Sequence, residues 1–206
     1  MPKRLVVGIS GASGVILGIR LLEVMRAVPD WETHLILSPA ARITIAQETD
    51  WRVSDVEALA THVYDHRDLG AALASGSFAT AGMVIIPCSI KTLSAVANCY
   101  AEDLMARAAD VTLKEGRPLV LVLRETPLHL GHVRLMEVAA ELGAVLFPPV
   151  PAFYARPQTV DDIINGTVGR VLARLGIANE LYYRWEGTRE AGARRRPEGR
   201  GHHKAV

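Results

Sequence analysis

The chain has 206 residues, enough for one substantial core, and half of them are hydrophobic while 22% are charged, which excludes a disordered chain. The formal net charge of +1 is uneven: the last twenty residues hold six Lys/Arg against two Asp/Glu, a local +4. The body before Gly187 therefore carries −3 and offers no basic face for nucleic acid.

No apolar run approaches the roughly 18 residues of a membrane span, and no cleavage-site pattern follows a long apolar stretch. A cytoplasmic location with no membrane span is expected. The two cysteines, Cys88 and Cys99, lack CxxC spacing and a disulfide-rich context, and Cys88 is expected to serve as a small core hydrophobe.

In chain order, 5–9 (LVVGI) reads as a buried strand and 14–27 as the helix after it. A second strand is expected at 34–37, followed by a helix at 39–49. The polar stretch 50–77 holds one short helix at 53–61. A third strand at 83–86 leads into helices at 89–98 and 103–115. Strand 119–123 follows, then a helix at 132–142, a short strand at 144–147, a proline-rich segment and a last helix at 160–175. Short apolar runs alternating with helical periods predict one α/β domain with a parallel sheet covered on both faces. That domain spans 1–186, and 187–206 forms a basic tail with little to bury, expected to be disordered. There is no internal repeat.

Ligands in such open sheets sit beyond the carboxyl ends of the strands. After the first strand comes Gly8-Ile9-Ser10-Gly11-Ala12-Ser13-Gly14, where glycines permit close backbone approach and the next helix start presents free N–H groups. The spacing is GxxGxxG, not the dinucleotide fingerprint, and Ser38 stands where an acidic ribose ligand would end the second strand. The pattern favours a phosphorylated mononucleotide, although the loop alone could be only a turn. After the third strand, Ser89 is an N-cap and Thr92 lies one turn later. They either cap the helix or hold a flavin phosphate or ribityl chain with its backbone amides.

After strand 119–123 come Arg124 and Glu125, a surface ion pair or, at a ligand edge, a phosphate grip beside a proton donor. Arg107 and Lys114 share a helix face that by itself reads as solvated. Phe153 and Tyr154 read as core aromatics and Arg170 as an exposed helix residue unless a site claims them. His129 and His132 flank Gly131 without further spaced ligands, so no metal is assigned.

Together these segments resemble the UbiX family of flavin prenyltransferases. The likeness covers residues 3–186 through GISGASG (8–14), AQET (46–49), GSF to PCSIKTLSAVA (76–97), RAADVTLKEGRPLVLVLRETPL (107–128), PAFYARPQTVDDI (151–163) and RVLARLGI (170–177). It implies a Rossmann-like or flavodoxin-like three-layer domain in a homo-oligomer, typically a dodecamer, with sites between subunits. It implies reduced FMN as acceptor, dimethylallyl monophosphate as donor, attachment at flavin N5 and C6, and delivery of prenylated FMN to a UbiD-type decarboxylase.

Carried over by position, the flavin contacts fall on Gly11, Ala12, Ser13, Ser38, Ser89, Ile90, Lys91, Thr92 and Arg124. The prenyl-phosphate contacts fall on Arg107, Lys114, Arg124, Glu125, Tyr154 and Arg170. Glu125, Ser13 and Glu48 match positions that handle protons, and Trp185 matches a tryptophan near the reaction. No metal is implied.

Four positions depart from the family pattern: Gly116 replaces an Arg, Asp103 an Asn, and Val133-Arg134 a Leu-Glu pair. Two rival readings stand beside it: a flavin-dependent cysteine-type decarboxylase, which carries an Asn motif and a catalytic His that PCSIKT does not match, and a non-catalytic flavin-carrying subunit of a decarboxylase complex. The latter has no use for Glu125 beside so many phosphate ligands.

Overall fold

A parallel sheet covered on both faces requires strands that are apolar on both faces, and this chain supplies them. The computed structural model describes residues 2–187. Its strands are β1 (Lys3–Ile9), β2 (Trp31–Leu37), β3 (His62–Tyr64), β4 (Gly82–Cys88), β5 (Leu119–Leu123) and β6 (Val145–Leu146). Every residue of β4 and β5 is buried. The strands pair in parallel in the order β3-β2-β1-β4-β5-β6. That is the doubly wound Rossmann order: the chain builds outward from β1 in one direction, then returns to lay β4 on β1's other side.

The helices are α1 (Val15–Met25), α2 (Pro39–Glu48), α3 (Val53–Glu57), α4 (Ile90–Ala97), α5 (Leu104–Lys114), α6 (Leu130–Glu141) and α7 (Val160–Arg174). The pleat sends alternate strand residues to opposite layers. Leu5, Val7 and Ile9 pack with Ile19, Leu22, Val168 and Leu172 of α1 and α7. Val6, Met83 and Ile85 pack instead with Leu93, Met105 and Ala109 of α4 and α5. Cys88 lies wholly within this second layer, and burial pushes its thiol up to about 12, so it stays protonated and serves as packing.

Several expectations need correction. The edge strand β3 was not foreseen, because only Val63 within it is aliphatic. The short helix expected at 53–61 ends at Glu57. Helix α6 starts two residues early, because the His129 ring accepts a hydrogen bond from the Gly131 N–H at 3.0 Å and caps it. Strand β6 is two residues long rather than four. Phe153 and Tyr154 are not core aromatics; they are 72% and 47% exposed. The expected basic tail lies, apart from Gly187, outside the described residues. No described helix is long and apolar enough to cross a membrane.

At the carboxyl ends of the two central strands one buried hydroxyl joins the loops. Ser10 Oγ donates to the Pro87 carbonyl at 2.9 Å and accepts from the Ser89 N–H at 2.8 Å, while Ser10 N–H reaches the same carbonyl at 3.2 Å. Ser10 is 1% exposed, so no water can substitute. Replacing Ser10 with Ala leaves the half-buried Ser89 N–H without its partner and should cost about 1 kcal/mol. The urea midpoint should fall with an unchanged slope; an unmoved midpoint would contradict this role.

Candidate functional site

Because α1 leaves β1 toward one layer and α4 leaves β4 toward the other, the loops after these strands diverge and open a crevice. A cavity of about 580 Å³ lies there, lined by Gly11, Ser38, Ser89, Lys91 and Thr92 together with His66, Arg67 and Asp103. That volume suits a mononucleotide. Gly11 keeps the cavity open: a Cβ at this position would overlap the Ala40 side chain across the mouth.

The polar lining follows from helix starts. Ser38 precedes α2 and its hydroxyl accepts from the Ala41 N–H at 3.0 Å. Ser89 precedes α4, accepts from the Thr92 N–H at 3.3 Å and shares a 3.1 Å hydrogen bond with the Thr92 hydroxyl. Capping and lining are thus done by the same side chains, and Ile90 and Lys91 open the helix between them. Ala12 and Ser13 continue the loop from Gly11, and Ala12 N–H turns back on the Ser10 carbonyl at 2.9 Å. Glu48, at the end of α2, accepts from the Gly14 N–H at 2.8 Å and so places a carboxylate at the start of α1.

Arg124 is joined to this wall by its backbone, whose N–H donates to the Cys88 carbonyl at 3.1 Å, and its guanidinium is exposed. Glu125 is half-buried and folds back to accept from the Thr126 N–H at 3.0 Å. Arg107 and Lys114 lie elsewhere in the chain. Helix α5 leads from the crevice toward the start of β5, and β5 rises roughly 16 Å between that edge and Arg124. Arg107 pairs with Asp110 at 2.7 Å and reaches the Ala74 carbonyl at 3.1 Å. Lys114 pairs with Glu115 at 2.7 Å. Lys114, at the far end of α5, is therefore carried away from Arg124 within one chain, whereas Arg107 lies near the helix start.

Tyr154, Arg170 and Trp185 form a third group. The Tyr154 ring meets Trp185 edge-on at 5.7 Å, and the Arg170 guanidinium lies 5.8 Å from the Tyr182 ring. Arg170 and Tyr182 line a separate cavity of about 480 Å³ with Pro148 and Tyr183. His66, Arg67, Asp103 and the two tyrosines were missed in the sequence. His66 sits in an aperiodic stretch, yet its Nε2 lies 3.3 Å from Asp103 Oδ2, and Asp103 also caps α5 by accepting from the Ala106 N–H at 2.9 Å. The departure at Asp103 was the available signal. The His129 and His132 rings lie tilted against each other, with centroids 3.6 Å apart.

Comparison with known proteins places this geometry. The flavoprotein family matches residues 1–172. The flavin prenyltransferase UbiX of Escherichia coli K12 is 61% identical over 187 residues, covering 90% of this chain and 99% of its own. A UbiX crystallised with FMN and dimethylallyl pyrophosphate superposes with a TM-score of 0.89 at 45% identity, over 91% of this chain and 100% of its own. A dodecameric FMN-dependent UbiX-like decarboxylase from Escherichia coli O157:H7 gives 0.88 at 47%, over 90% and 100%. On fold, motif order and near-complete coverage, the chain belongs to the flavoprotein family and, within it, to the UbiX flavin prenyltransferases.

Proposed function

We propose that this protein joins a dimethylallyl group from dimethylallyl monophosphate to N5 and C6 of reduced FMN, releasing phosphate. The product, prenylated FMN, goes to a UbiD-type decarboxylase. The observation that carries the reading is the switch-point crevice, with hydroxyls at two helix starts beside a loop that tolerates no Cβ at Gly11, in a chain 61% identical to a flavin prenyltransferase.

Breaking the allylic C–O bond leaves a cationic carbon and builds negative charge on the departing phosphate. Preorganised Lys and Arg stabilise that charge where water is excluded, so the reaction proceeds without a metal. Gly11, Ser38, Ser89 and Thr92 hold the flavin, and Arg124 spans flavin and phosphate. Since roughly 16 Å of strand separates Arg124 from the Lys114 edge, Lys114 comes from a neighbouring copy in a dodecamer like that of the related decarboxylase, and Arg107, near the start of α5, adds to the phosphate grip.

Tyr154 and Arg170 complete the phosphate grip, and the Trp185 face shelters the allyl cation. Glu125 gives a proton to the phosphate, while Ser13 and Glu48 move protons at the flavin side. Holding N5 against the allyl carbon removes much of the entropic barrier. A cytoplasmic location suits two unpaired cysteines, one of them exposed. A cysteine-type decarboxylase is set aside, since Pro87-Cys88-Ser89 occupies the strand end where that group carries its Asn motif.

Anaerobic incubation with reduced FMN and dimethylallyl monophosphate should add one five-carbon unit to the flavin mass. A parallel incubation with the pyrophosphate ranks the donors, and an unchanged mass with both would contradict the reading. Glu125→Gln should bind both substrates yet turn over about 100-fold more slowly or worse. Undiminished prenylation by that variant would remove Glu125 from the mechanism.

A further inference from the structure

The edge strand β3 is three residues long and pairs with β2 through His34↔His62, Leu35↔Val63 and Ile36↔Tyr64. The period of two puts Glu32, His34, His62 and Tyr64 on one face of the sheet. There the His34 and His62 rings stack with centroids 4.7 Å apart. One ligand atom from each of Glu32, His34 and His62 lies within 4.8 Å of the others.

His34 is 2% exposed. Its Nδ1 stands 2.9 Å from the Tyr64 hydroxyl, while Nε2 is buried with no hydrogen-bond partner, 3.8 Å from Glu32 Oε2. With Tyr64 holding Nδ1, Nε2 faces the Glu32 carboxylate across a gap too long for a hydrogen bond, which a cation between the two would close. A neutral imidazole oriented through its other ring nitrogen is what a borderline-soft divalent ion requires. Arg4 approaches Glu32 Oε2 at 3.4 Å and leaves Oε1 without a hydrogen bond from the described residues. Its charge moderates the affinity for a cation without closing the site.

We infer that Glu32, His34 and His62 bind one zinc-like divalent ion that cross-links β2 to the short edge strand β3. Tetrahedral ligation needs ligand atoms about 3.3 Å apart, a closure the exposed His62 ring can make by rotating. His34 lies four residues before Ser38, roughly 13 Å along β2, so this site is separate from the crevice and stands independently of the proposed chemistry. Its role is structural, holding an edge that few ladder bonds secure.

The test is calorimetric titration of the metal-stripped full-length protein with zinc chloride, with the thermal midpoint followed in parallel. One equivalent should bind and the midpoint should rise. His62→Ala, at an exposed position, should weaken that binding about 100-fold or more, and Tyr64→Phe, which removes only the orienting hydroxyl, about tenfold. Circular dichroism and FMN binding of both variants check that they fold. Zinc uptake unaltered by His62→Ala, or no uptake by the unmodified protein at micromolar zinc, would overturn the inference.

Discussion

The structure depends on the return of the chain to β1. Once β2 and β3 have been laid on one side, β4 must pair with β1 on the other, and the helices that follow β1 and β4 must take opposite layers. The crevice is what remains between the diverging loops. The Ser10 hydroxyl sets its width, because it bonds both to Pro87 and to Ser89 on the far side. The hydroxyls of Ser38, Ser89 and Thr92 are then aimed by their helices rather than by any separate device, so stability and ligand geometry share the same hydrogen bonds.

The same topology limits what one chain can do. A helix that leads from the carboxyl ends of the strands down to the start of the next strand delivers its last residues to the opposite edge, and Lys114 is such a residue. In the proposed reaction a concentrated cationic pocket is therefore assembled from more than one copy. The outer face of α6 exposes Leu130, Val133 and Val138, with Leu142 just beyond, and Phe153 is exposed in the later loop. Apolar surface of this kind is the usual substance of subunit interfaces. In the proposed reaction, assembly is part of catalysis, since it brings the cations together and removes water from around them.

Much of this was legible in the sequence for a physical reason. The strands β1, β4 and β5 are buried on both faces and so read as unbroken apolar runs. The serine caps sit where glycine-rich turns meet helices. The edge strand β3 buries little and left no trace, and β6, only half-buried, was legible but read two residues too long. Ser10 could not be singled out because its partners lie 77 and 79 positions away. Two departures from the family pattern acquire local explanations. Gly116 takes a left-handed φ of 66° as α5 ends, with its N–H on Leu113 and the next N–H on Thr112, a conformation that disfavours an Arg there. Asp103 pairs with His66 across the crevice rim.

The central claim is that the reactive pocket is shared between copies, and subunit mixing tests it most directly. Lys114→Ala and Arg124→Ala proteins, each inactive in prenylation, are dissociated, combined in equal amounts and reassembled. If Lys114 and Arg124 of a site come from different copies, about a quarter of the mixed sites carry both native residues and activity returns. If both residues serve from a single chain, no mixed site is intact and the combined sample stays as inactive as its parents.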